Sequence, residues 1–157
     1  MRVKKVKKYR QVEEIVTMPV PLLDPSWIES WGIRVETNLF MTGPRDYLKR
    51  WYCWIRLKNG FILRSLAFDW DRPLLEWIKK VVGGQKHGEG RKLGEPILNP
   101  EWLDYTHFYT QPAKILFVYL VDCTVIVSPI FRLQEHALKW LKELIGTRKI
   151  DVLIGED

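Results

Sequence analysis

Cysteine is scarce in this sequence. Cys53 and Cys123 are the only two, far apart and outside any Cys-x-x-Cys pair. A disulfide-dense scaffold and a cysteine-built zinc site are therefore excluded. One disulfide stays open, but the expectation is two reduced core thiols of an intracellular protein. Histidine is equally sparse. His87, His107 and His136 show no zinc-like spacing, and His107, inside DYTHFY, reads as a half-buried packing residue rather than a general base. Long apolar runs are missing too: ILFVYLV at 115–121 is far too short to cross a bilayer. The N-terminus carries charge without the apolar segment that should follow it in a signal peptide, so a cytoplasmic protein with no membrane partner is expected. Ser65 and Ser128 lack a nucleophile-elbow context. Asn and Gln are few beside abundant Lys, Arg and Glu, a composition associated with hot environments.

What remains is a chain of 157 residues, the usual size of one domain, 1–157, with enough apolar residues for a core of its own. Its net charge of +6 has the sign that a polyanion partner requires, because neutralising phosphates releases counterions. Nucleic acid, DNA first, is the expected partner. The opening MRVKKVKKYR is either an edge strand or a flexible basic arm over residues 1–10.

Residues 51–70 contain Asn59-Gly60 between two strand-forming runs, which predicts a hairpin with a two-residue type I′ turn. That turn pairs Ile55 with Arg64 and Cys53 with Leu66. Asp71 as N-cap, Pro73 in the first turn and an apolar stripe from Leu74 to Val82 predict a helix over 72–82, stopped by Gly83-Gly84. AKILFVYLVDCTVIV at 113–127 reads as one long strand, or two bent near Asp122. Ser128-Pro129 opens a second predicted helix over 129–145, with Leu133, Ala137, Trp140, Leu141 and Leu144 on one face. Segments 33–40 and 149–154 read as further strands. LDPSWIE at 23–29 echoes LNPEWLD at 98–104; Asx caps, Pro begins and Trp anchors a short helix in each. The flanks show no repeat, so the echo reads as local. Together these elements predict an α+β fold with a mixed or antiparallel sheet.

Three places are candidates for chemistry. The glycine-rich stretch 83–96, GGQKHGEGRKLGEP, follows a helix, and Leu93 stands where a P-loop needs Ser or Thr, so a nucleotide P-loop is rejected. Lys86, Arg91 and Lys92 are instead candidate phosphate contacts. Glu89 and His87, with Asp69 and Asp71 if they lie nearby, are the candidate catalytic residues, the Glu89 carboxylate positioning water or metal among the cations. As a solvated loop, the same glutamate only balances local charge. In FDWDRP, Asp69 and Asp71 flank Trp70, and strand geometry would converge both carboxylates on Mg2+ or another divalent cation. Against this stand an N-cap role for Asp71 and pairing of Asp69 with Arg50. Finally, Trp51, Tyr52 and Trp54 interleave with Lys49, Arg50 and Arg56, a pattern suited to single-strand or groove contact.

In length, charge, tryptophan content and element order, and in the Asp69-Trp70-Asp71 element, the chain resembles the small orphan proteins of archaeal linear-DNA viruses. That group includes a filamentous-virus nuclease of α+β fold, distantly similar to nucleotidyltransferases and dependent on a mid-chain glutamate. The Gly-Ser of a nucleotidyltransferase helix start has no counterpart here. The resemblance implies a viral DNA-binding protein of the host cytoplasm with a DNA-hydrolysing activity; the alternatives are a non-enzymatic nucleic-acid-binding or virion-associated protein, or a protein-interaction module. Glu89 is the nearest counterpart of that glutamate, and Glu76 the second.

Overall fold

The computed structural model describes residues 18–35, 50–83, 96–111, 113–146 and a strand at 152–155. The basic arm at 1–10 lies outside the described residues. A 3-10 turn (Pro25–Trp27) leads into β1 (Ile28–Val35), β2 (Trp51–Leu57), β3 (Ile62–Arg64) and helix α1 (Asp71–Val81). A second 3-10 turn (Pro100–Trp102) leads into β4 (Leu103–Tyr109), β5 (Ile115–Leu120), β6 (Val125–Val127) and helix α2 (Gln134–Ile145), and β7 (Val152–Gly155) follows. Among the described residues one seven-stranded sheet runs β1-β2-β3-β6-β5-β4-β7. Six strands are antiparallel neighbours, and β7 lies parallel to β4 at one edge. The α+β fold with a mixed sheet is as expected.

The order of elements shows that the echo is not local. Among the described residues, the elements other than β7 form two copies of one unit, turn-β-β-β-α, joined where β3 meets β6. Residues 51–83 align with 114–146 without a gap, and both copies hold Leu57/Leu120, Ser65/Ser128, Phe68/Phe131, Trp77/Trp140 and Gly83/Gly146. The bonds repeat with the residues. Ser65 Oγ accepts from the Cys53 amide at 3.0 Å and donates to the Leu66 carbonyl; Ser128 Oγ accepts from Leu116 at 2.9 Å and donates to Pro129. Asp24 caps the first 3-10 turn through the Ser26 amide, and Asn99 caps the second through Glu101. The isolated bridges Trp51–Phe68 and Lys114–Phe131 correspond in the same way. The repeat is hard to read from the sequence because the β1–β2 connection is much longer than the β4–β5 connection, which shifts the alignment between the echo and the rest.

Both helices lie on the same face of the sheet. Leu74, Trp77, Ile78 and Val81 of α1 join Trp140, Leu141 and Leu144 of α2 in one cluster with Cys53, Ile55, Leu57, Leu63, Leu116, Val118, Leu120 and Ile126. Burial of each such aliphatic side chain contributes about 1.5–3 kcal/mol. The seam between the copies has a single registered pair, Arg64 with Val127. Two indoles reinforce it by crossing over: Trp77 Nε1 donates to the Val125 carbonyl at 2.9 Å, and Trp140 Nε1 to the Ile62 carbonyl at 2.8 Å. Each helix thus satisfies a polar group on the other copy's third strand, which ties the halves into one unit.

Several expectations need correction. Ile55 pairs with Leu63, not Arg64, and Trp54 pairs with Arg64. The loop holds three residues instead of two. Gly60 sits at φ +90°, Asn59 Oδ1 accepts from the Phe61 amide, and the Leu57 amide donates to the Phe61 carbonyl. A three-residue turn with a left-handed third residue is the alternative to type I′, and a one-residue slip sends every side chain to the opposite face. The 113–127 stretch resolves into two strands turned at Asp122, the bent reading. Helix α2 starts at Gln134, several residues after Ser128, whose hydroxyl is already used inside the sheet. Asp71 is the first residue of α1 rather than its cap; Trp70 holds the cap position without a side-chain bond. Cys123 is exposed in the β5–β6 turn and is no core thiol. DYTHFY, which sequence marks only as aromatic, forms most of β4.

Candidate nucleic-acid interface

Strand alternation decides what the other face of the sheet carries. With Cys53, Ile55 and Leu57 turned toward the helices, Tyr52, Trp54 and Arg56 share the opposite face, which carries no helix among the described residues and is called the helix-free face below. Register adds Ser30, Gly32 and Arg34 from β1 on one side, and Ile62 and Arg64 from β3 on the other. The aromatic-basic hairpin expected from sequence is therefore present, with one change. Trp51 belongs to the helix side, where it packs against the main core.

Two of the three arginines of this face, Arg34 and Arg64, stack on rings. The Arg34 guanidinium lies 5.2 Å from the centre of the Trp54 ring, and Arg64 lies 3.7 Å above Tyr52. Arg64 Nε also donates to the Ser65 carbonyl at 3.2 Å. Gly32 makes the Trp54 placement possible: a Cβ there would sit 3.1 Å from the indole. Trp54 thus lies against a strand with no side chain at that point, with Arg34 over it. Guanidinium stacked on an aromatic ring loses less freedom when it binds an anion, since its orientation is already set. Arg34 and Arg56 are exposed.

The second copy uses the same positions differently. Where the first copy has Arg56 and Arg64, the second has Tyr119 and Val127; where β1 has Ser30, Gly32 and Arg34, β4 has Tyr105, His107 and Tyr109. Tyr105 stacks on Tyr119 at 4.4 Å, His107 on Tyr109 at 4.1 Å, and Tyr109 meets Phe117 edge-on at 5.2 Å. Ile115, Val125 and Val127 form a small second cluster among them with Leu66. Burial, followed by the nearby Tyr109 and Tyr105 hydroxyls, pushes the Tyr119 phenol upward, so it stays neutral. His107 is half-buried, as expected, and its Nε2 is enclosed without a hydrogen-bond partner.

The remaining predicted residues divide in two groups. Lys49, Lys86, His87, Glu89, Arg91 and Lys92 lie outside the described residues. Asp69 and Asp71 are described, and the strand geometry that would converge them is not there: 69–70 form a bend, and Asp71 is already helical. Arg50 Nε meets Asp69 Oδ1 at 3.1 Å, the ion pair weighed above against a metal role. Glu76 is exposed on α1. Among the described residues no group of three or more His, Cys, Asp or Glu is placed to hold a metal ion. No helix among them is long and apolar enough to cross a membrane.

Sequence reading missed Arg34, Arg64 and Gly32, although each is a plain residue in a strand-forming segment. Finding them required the three-residue turn and the β1–β2 register, which bring distant residues beside Trp54. No family model, curated protein or solved structure matches this chain.

Proposed function

We propose that the protein binds nucleic acid, DNA first, across the helix-free face of its first repeat, with Arg34, Arg56 and Arg64 contacting phosphates. One observation carries this reading. Two copies of the same β-β-β unit are built with the same core, yet only the first places arginines on that face. The scaffold does not need them, because Tyr109, Tyr119 and Val127 serve in the equivalent positions. Cations that packing does not require, held over Tyr52 and Trp54, suit a phosphate backbone. The overall charge of +6 has the sign for long-range attraction to it.

The test is a salt titration of binding to linear duplex and to single-stranded DNA. Wild type should bind with an affinity that falls steeply with salt, and Arg34→Ala and Arg56→Ala should each lower the slope by about 1. Affinity independent of salt, or an Arg34→Ala/Arg56→Ala double variant that binds like wild type, would remove the proposal. Adding Mg2+ to the same mixtures reports strand cleavage. Cleavage that persists in Glu89→Ala would exclude Glu89 from any hydrolytic step.

A further inference from the structure

The two repeats differ again at their outer strands. β4 carries β7 on its outer edge, whereas the equivalent edge of β1 has no partner strand among the described residues. On the helix side of β1, beyond the reach of the helices, Trp31, Ile33 and Val35 stand in a row at 43 %, 48 % and 52 % exposure. An edge strand with an exposed apolar row is a template for pairing with another strand.

We infer that β1 pairs antiparallel with β1 of a second copy of this chain, about a two-fold axis through Ile33, to make one continuous sheet. A second copy is the occupant that the sequence of β1 itself fits. Centred on Ile33, the pairing sets Ile33 against Ile33, and Trp31 against Val35, so the whole apolar row meets its own complement. On the opposite face Arg34 falls across from Gly32, which has no side chain, so the two copies' arginines do not oppose each other. Any register that kept helices on one side and set Arg34 against itself would instead place like charges face to face. An isologous contact of this kind closes on itself and uses up the β1 edge of both copies, leaving a β7 at each end of the joined sheet. A cleft of about 530 Å³, walled by Ile28, Glu29, Trp31 and Lys58, lies at the N-terminal end of β1, toward which the partner's strand would run. The pairing would also set the two arginine-bearing faces side by side, although it stands independently of what those faces bind.

Sedimentation velocity across the micromolar range tests the association. Wild type should sediment as a dimer that dissociates on dilution, and Ile33→Lys should weaken association about tenfold or more, with its circular dichroism unchanged, because it puts two ammonium groups in contact. A wild-type chain that stays monomeric, or an Ile33→Lys chain that dimerises equally well, overturns the inference. The register is tested separately in a Cys123→Ser background. Under mild oxidation Ile33→Cys should form a disulfide-linked dimer, and Val35→Cys, which faces Trp31, should not. Linkage of both or of neither would discard the proposed axis.

Discussion

The two halves of the molecule share a scaffold and differ in what they place on it. Turn caps, hydroxyl bridges, tryptophan cross-bonds and left-handed turn positions coincide pair by pair. The helix-free face does not: one half carries arginines on aromatic supports, the other a stacked set of tyrosines around Ile115, Val125 and Val127. Features present in both halves are those the fold requires. Features present in one half are open to selection for another purpose, and such differences are where function is best sought.

The strongest way to break the comparison is at the seam. Trp77→Ala and Trp140→Ala should each destabilise the protein by about 3–5 kcal/mol, through a cavity and an unpaired carbonyl. Trp140 should be the costlier, because it stacks on Phe61 at 5.2 Å and meets Phe131 edge-on, whereas the position equivalent to Phe61 beside Trp77 is Thr124. Urea unfolding of both variants measures this. A negligible loss for either would mean that the halves are not locked by their indoles.

A smaller effect is expected at the turns. Gly60 and Cys123 occupy equivalent positions at φ +90° and +76°. Only the second carries a Cβ that disfavours this conformation, and the glycine has open space around it. Cys123→Gly should therefore stabilise by about 1 kcal/mol, and Gly60→Ala should destabilise by about as much. Opposite signs in thermal melts would support the equivalence of the turns; equal signs would contradict it.

The smallest effect concerns an ion pair that links the halves in one direction and has no counterpart in the other. Lys80 of α1 bonds Asp122, whereas the equivalent positions are Glu143 and Asn59. Partial burial acts to raise the Asp122 carboxyl, but hydrogen bonds from Lys80 and Thr124 and the Lys80 charge prevail and hold it below the ordinary carboxylate value. The folded state therefore favours the ionised form. Its contribution is complete above the ordinary aspartate range and is lost as pH falls through the lowered native value. For a partly exposed pair it should amount to about 1 kcal/mol or less. Asp122→Asn should narrow the stability difference between neutral and acid pH by that amount, measured as the shift in urea midpoint.

Much of the fold was legible in the chain. Leu74 to Val82 and Ala137 to Leu144 have helical spacing, the Asx-Pro-x-Trp segments cap short turns, and strand-forming runs flank Asn59-Gly60. These are local signals, set by side chains within one or two turns of each other. The candidate site was half legible: Trp54 and Arg56 lie in one strand and announce themselves together, while Arg34 and Arg64 come from neighbouring strands. Cys123 shows the same limit, since an apolar neighbourhood in sequence suggested burial and the turn put it outside.

By itself, then, the sequence determined the elements, the apolar faces and the surplus of positive charge, because each depends on residue type and short-range period. Only the tertiary structure decided the register of the hairpin, the two-fold arrangement of the repeats and the meeting of arginines with rings. A strand has two faces, one residue of slip exchanges them, and that slip is settled by the closing of a turn and the pairing of distant strands.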